Sequence, residues 1–292
     1  MEWYVLVLVC AFLFGIAEVI KKKILNHEHT LQFTATYHTV AFVMILVLLP
    51  KVNFTISILS WGLILLKSVL LAIAAYIFLK MLRHYEISEI EPLKNLSPMF
   101  LLVLGFLILN EKPSIVNLSG IGLLIVGTYM LEVDHKAIDL KKPLKIFREK
   151  NVLLFLVFLV FISFCAIIDR YVIYTIGSVD IYTYYFLTMM FIAVLSITVE
   201  LIKKKNLREM RRALKKDWIP LIIAALLTIL SDLLYFEAIF MPAALIVLVI
   251  PIKRLSTLVS AFVGGELFHE HGLKIRLISC AVMIVGASLV IL

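Results

Sequence analysis

Lys253 and Arg254 stand side by side within an apolar run, in the hexamer Pro251-Ile252-Lys253-Arg254-Leu255-Ser256. Two adjacent cations there could neutralise a carboxylate or a phosphate, carried either by a ligand or by a neighbouring helix. An ionisable side chain at bilayer depth costs about 2.5–3.5 kcal/mol on insertion scales, so it faces a polar cavity or a partner rather than lipid. Slid against itself by 159 residues, the chain lays Pro92-Leu93-Lys94-Asn95-Leu96-Ser97 on that hexamer without a gap. Lys94 thereby becomes a third cation of the same kind. The same offset pairs Tyr76 with Tyr235, Gly105 with Gly264, Glu111 with Glu270 and Ile125-Val126-Gly127 with Ile284-Val285-Gly286. Candidate ligand contacts are therefore Lys94, Lys253 and Arg254, with Ser97, Ser256, Tyr76 and Tyr235 beside them.

Pro92 and Pro251 each lack a backbone donor and free a carbonyl one turn earlier, which membrane helices tolerate where the carbonyl lines a cavity or is covered by protein. Lys253, Ser256, Thr257, Ser260 and Gly264 recur at helical spacing, as a polar face or as a seam of small residues for helix packing.

Acids form the second set. Glu18, Asp169 and Asp232 are candidates for proton coupling, with Lys67 and Glu237 as further charges inside or beside apolar spans. Aligning Ala17-Glu18 with Ile168-Asp169 puts those two acids at equivalent repeat positions. A purely structural account pairs Lys67 with Asp232, and Asp169 with Arg170 or a loop base, as neutralising contacts. Glu18 and Asp232 show no basic neighbour on their own turn, which favours a cavity-lining or proton-coupling role.

Other candidates carry less. His269-Glu270-His271 resembles a metal clip, but two histidines at i and i+2 of a helix point to different faces, so no metal is expected. Glu111 and Glu270, followed by Pro113 and Gly272, suit the starts of the helices that come next. His38 reads as a hydrogen-bonded interior residue. Phosphate loops, nucleophile elbows and nucleotide cassettes are missing from the sequence, so neither an enzyme nor an ATP-driven machine is expected.

The elements that must position these residues are membrane helices. Of 292 residues, 63% are hydrophobic and 16% charged, against about 45–50% and about 25% in soluble domains. Apolar runs near the 20 residues needed to cross the hydrocarbon recur along the chain at roughly 3–20, 31–49, 59–79, 87–109, 114–132, 151–169, 180–202, 218–240, 243–268 and 273–292. Ten spans with a half-length repeat leave five per half. An odd number makes the second half enter from the opposite side, so the expected fold is all-α, with ten transmembrane helices as two inverted five-helix repeats. The expected domains are residues 1–132, a basic connection 133–150, and residues 151–292. Residues 3–20 lack the basic start and small-residue cleavage site of a signal peptide and read as a retained span. Cys10, Cys165 and Cys280 fall in apolar spans and suggest no disulfide framework.

The +8 net charge points to an anionic membrane surface rather than to nucleic acid, because 21 of the 28 Lys and Arg fall on connections of one side. If that side is cytoplasmic, both termini are outside. Within residues 203–216, Leu207, Met210 and Leu214 recur at helical spacing up to Trp218, so the stretch reads as a solvated basic loop or a short interfacial helix.

Ten spans, the repeat, and halves that each close in a Glu-turn-helix containing Ile-Val-Gly make the chain resemble the EamA-type members of the drug/metabolite transporter superfamily. The resemblance implies a multi-pass protein of the cell membrane and a secondary transporter without cofactor. Lys253-Arg254 is also similar to the Lys-Arg pair with which sugar-phosphate translocators of this superfamily hold a phosphate. Carried over, Lys253 and Arg254 bind an anionic group with Lys94 opposite. The leading expectation is transport of a small organic anion, phosphorylated or carboxylated, by alternating access, with Glu18, Asp232 or Asp169 available to a proton. Two alternatives stand beside it: a proton-coupled exporter of amino acids or organic cations, and a lipid-handling or non-transporting membrane scaffold.

Overall fold

A computed structural model describes residues 2–25, 30–81, 96–132, 152–204, 208–260, 263 and 273–292. Among them no strand occurs, and ten α-helices have described bounds, besides the short helical stretch 256–260. They are α1 Trp3–Leu25, α2 Thr30–Ile45, α3 Ile58–Met81, α4 Ser97–Leu109, α5 Ile115–Glu132, α6 Val152–Arg170, α7 Ile181–Lys204, α8 Arg208–Phe240, α9 Ile246–Lys253 and α10 Leu273–Ile291. Among the described residues, six stretches are long and apolar enough to cross a membrane: Trp3–Leu25, Gln32–Lys51, Ile58–Ala75, Leu153–Ile176, Ile181–Ile202 and Lys216–Phe240. Shorter apolar helices are Ser97–Leu109, Ile115–Met130 and Ile278–Ile291. Many large apolar side chains stay exposed on these helices, among them Phe12, Val103, Leu107 and Ile202, as a lipid-facing surface requires.

Three boundaries differ from the sequence expectation. α2 runs on as a 3-10 segment, Leu46–Lys51, around Pro50. α6 runs on as a π segment, Tyr171–Ile176, ending at Gly177 in the left-handed region (φ 63°). Asp169, expected near the end of its span, therefore sits seven residues short of Ile176, or about 10 Å inside at 1.5 Å per residue. The basic stretch before span eight is helical from Arg208 and joins the span at a kink, where Asp217 leaves helical geometry (φ −120°, ψ 28°) three residues before Pro220. Leu214 packs on the cluster of Phe33, Tyr37, Leu221 and Ala225, which gives that helix an apolar seat.

Packing follows a pattern. α1 lies on α8 and α3 on α6; α2 lies on α8 and α3 on α7; α1 lies on α9 and α4 on α6. Adding or subtracting five helices converts each of these pairings into its mate, and converts α2 on α7 and α5 on α10 into themselves. Individual contacts obey the same exchange. A Cβ on Gly127 would lie 3.1 Å from the Ser279 carbonyl, and one on Gly286 would lie 2.8 Å from the Gly120 carbonyl. At the 159-residue offset, Gly127 corresponds to Gly286 and Gly120 to Ser279, so the two contacts are images of each other. Apolar side chains gain little by leaving lipid, so close backbone approach at small residues has to supply much of the adhesion between helices.

Gly286→Val should force α5 and α10 apart and destabilise the protein by about 1–3 kcal/mol, read as a lowered unfolding midpoint in detergent. Gly122→Ala, where nothing lies within 4 Å of the new Cβ, should be neutral or slightly stabilising in the same measurement.

Candidate functional site

The polar residues of five helices meet in the bundle interior as two ion pairs linked by tyrosines. Lys67 of α3 pairs with Asp169 of α6, with side chains only 7% and 8% exposed. Asp169 accepts two more hydrogen bonds, from the Tyr184 hydroxyl of α7 at 2.5 Å on Oδ1 and from the Tyr235 hydroxyl of α8 at 3.2 Å on Oδ2. Lys253 of α9 pairs with Asp232 of α8 at 3.3 Å, and Asp232 accepts the Tyr185 hydroxyl on its other oxygen at 3.2 Å. This pair is looser and wetter, with side chains 18% and 17% exposed. Tyr235 touches both pairs: its hydroxyl bonds Asp169, and the Lys253 ammonium lies 4.2 Å from its ring centre. A buried carboxylate with a cation and two hydroxyl donors within reach has replaced most of its hydration, which is what makes charge tolerable at this depth.

α9 presents its cations where it breaks. Pro251 supplies no amide to the helix ladder, and beyond it the Arg254 amide is shared between the Ile250 and Pro251 carbonyls, both at 3.1 Å. The next bonds are of the tighter i to i+3 kind, from Leu255 to Ile252, Thr257 to Arg254 and Leu258 to Leu255, as helix resumes at Ser256. Arg254 reaches across to α4 and donates to the Ser97 hydroxyl at 3.1 Å, while the Ser97 carbonyl accepts Ser163 of α6. Ser97, where α4 starts, and Ser256, where the broken helix restarts, are the 159-residue equivalents. The Ser256 carbonyl would stand 2.6 Å from a Cβ on Gly15, so α1 passes close behind the break.

A third cluster closes the bundle beside α9. Leu245, the residue before α9, has no side chain that could cap it, yet the first amides of the helix are satisfied. Glu111 does this from the α4–α5 turn, accepting Ile246 N–H at 2.9 Å on one oxygen and Val247 N–H at 3.1 Å on the other. Arg170 lies 3.8 Å from the same carboxylate. It also donates to the carbonyls of Ile239, Met241 and Pro242 at the end of α8, and stacks 3.7 Å from the Tyr174 ring centre.

Of the residues singled out by sequence, Lys253, Arg254, Ser97, Tyr235, Asp232 and Asp169 come together here, and Ser256 is buried at the break. Lys94, Pro92 and Glu270 lie outside the described residues, as does the His269-Glu270-His271 stretch; Tyr76 is in α3, its side chain outside the described part. Glu18 is not in the cluster. It is half exposed, seven residues before the end of α1, and paired at 3.1 Å with Lys21, a basic neighbour one turn on that the sequence expectation leaves out. The charge partners also differ from expectation. Lys67 takes Asp169 rather than Asp232, Asp232 takes Lys253, and Arg170 turns away from Asp169 to Glu111. Glu111 serves a helix start, but that of α9 rather than of α5. His38 bonds Ser196 at 2.9 Å. Tyr184 and Tyr185 were missed; their only signal is two adjacent tyrosines in the interior of an apolar run, where a phenol needs a buried partner. No group of three or more metal-ligating side chains occurs among the described residues.

Apolar spanning helices with paired charges at their centre define an all-α, multi-pass membrane protein. Residues 1–133 match the model of the EamA-like transporter family, which is consistent with a membrane transporter of the drug/metabolite transporter superfamily. Among curated proteins no sequence matches. One solved structure, titled "Crystal structure of protein", shares the fold with a TM-score of 0.71 at 13% identity, covering 98% of this chain and 95% of that one.

Lys67→Met should destabilise the protein by about 3–5 kcal/mol, because it strands a buried carboxylate. Adding Asp169→Asn, which keeps an acceptor for the two tyrosines, should recover most of that loss in thermal unfolding. A double variant as unstable as the single would remove the pair from the list of structural determinants.

Proposed function

We propose that the protein is a secondary transporter that moves a small organic anion, phosphorylated or carboxylated, by alternating access between two inverted five-helix repeats. The repeat match at 159 residues and the exchange-related helix pairings support the inverted arrangement. One observation carries the substrate reading: the adjacent cations Lys253 and Arg254 sit at the break of a discontinuous helix, half-buried, and the ion pair of Lys253 with Asp232 is partly exposed. In the resting state Asp232 stands where the substrate's anionic group would go. An arriving carboxylate or phosphate draws Lys253 and Arg254 to itself, and Asp232 keeps only the Tyr185 hydroxyl. A carboxylate left without its cation in a dry interior is strongly unfavourable, which makes Asp232 the candidate for proton coupling. Anion and proton then cross together. When the substrate departs, the proton does too, and the internal pair re-forms.

The Lys253–Asp232 pair also exposes an acid to the same space, which favours a second reading in which the amine of an amino acid or an organic cation sits on Asp232. Unfolding midpoints in detergent separate the two. A ligand at 100 times its dissociation constant adds about 2.7 kcal/mol, so stabilisation by organic phosphates and carboxylates supports the anion, and by amines the alternative. Stabilisation by lipid phosphates alone favours a lipid-handling protein.

Lys253→Ala and Arg254→Ala should each lower anion uptake into proteoliposomes about a hundredfold or more, since a desolvated charge pair contributes about 2–5 kcal/mol. Unchanged uptake in both would refute the assignment. Asp232→Asn should make uptake indifferent to an imposed pH gradient; accumulation still driven by that gradient would remove Asp232 from coupling.

A further inference from the structure

α9 carries the two candidate ligand cations at its far end, about 12 Å from its first turn at 1.5 Å per residue. That first turn is held from the other half of the chain. Glu111 lies 135 residues before Ile246, and three features of its surroundings aim it at α9. Asn110 ends α4 in the left-handed region (φ 54°, ψ 30°), and the Glu111 amide returns to the Gly105 carbonyl at 3.1 Å, so the chain reverses and turns the carboxylate outward from its own helix. Gly105 leaves room for the approach, since a Cβ there would lie 2.5 Å from Val247 Cγ1. Arg170 fixes the other side by binding both the carboxylate and the last carbonyls of α8. Both partners are buried, and every acceptor oxygen of Glu111 is used on α9.

We propose that Glu111 is a positioning residue that latches α9 to the first half of the chain and holds shut the membrane face at which α9 begins. The latch rests on the alternating-access reading above. The same face carries the turns 52–57, 110–114, 177–180 and 241–245, and further polar contacts tie it together: the Asn53 amide donates to Thr183 Oγ1 at 2.8 Å, and Lys51 lies 4.5 Å from the Tyr182 ring centre. While the turn is dry, a carboxylate on two orphan amides at the positive end of a helix is a strong contact, and entry of water replaces it. Release of Glu111 therefore frees α9 to swing and opens a path from this face to Lys253 and Arg254.

Site-directed labelling tests the latch without substrate. In a chain with Cys10, Cys165 and Cys280 changed to alanine, Ile250→Cys places a thiol on α9 one turn before Arg254, and an impermeant maleimide is applied to each face of oriented vesicles in turn. Glu111→Ala should raise labelling from the turn face by about tenfold and lower it from the opposite face, as loss of a charge-assisted bond present in only one state would do. Glu111→Gln, which keeps one acceptor oxygen, should shift both rates in the same directions by less, and decides the matter if the alanine variant does not fold. Labelling that rises from both faces together would show a merely loosened helix and overturn the proposal, as would unchanged labelling. Because no anion is present, this outcome is independent of whether Lys253 and Arg254 bind one.

Discussion

Charge inside hydrocarbon has to be neutralised where it stands, and the interior of this protein is arranged around that constraint. Lys67 with Asp169 and Lys253 with Asp232 each cancel to zero, and three tyrosine hydroxyls occupy lone pairs that the lysines do not. The consequence is architectural, because the pairs draw α3 to α6 and α8 to α9, and the tyrosines add α7. Apolar side chains could slide past one another in lipid with little preference; bonds to a buried carboxylate permit few arrangements.

The two pairs differ in how completely they are closed. Asp169 has a cation and two phenols and almost no exposure, which suits a fixed joint. Asp232 has one of each and stays partly exposed, which suits a partner that can be displaced. Tyr235 belongs to both, donating to Asp169 while its ring faces Lys253. The helix break at Pro251 gives Arg254 its place, since an unbroken helix would offer it no turn from which to cross to Ser97.

Much of this was legible in the residues. Composition and run length indicate an all-α membrane protein, and the offset repeat singles out Lys253, Arg254, Ser97 and Tyr235, which do gather in one place. Less legible were the ends of elements. The π segment after Arg170 has no compositional mark, and it moves Asp169 from the rim of its span to the interior. Glu18 is the opposite case: its partner Lys21 lies one helical turn away and is plain in the sequence.

Sequence by itself determined which residues are charged within apolar runs, where prolines interrupt helices and which positions recur in the two halves, because these are properties of spacing along one chain. Only the tertiary structure decided which acid each base takes. Arg170 neighbours Asp169 in the chain but points to Glu111, and Lys67 reaches an acid about a hundred residues away, on another helix. Partner choice depends on helix rotation and separation, which are set by contacts such as Gly120 on Gly286 and by the reversal at Asn110. Those are relations between segments, and no local spacing encodes them.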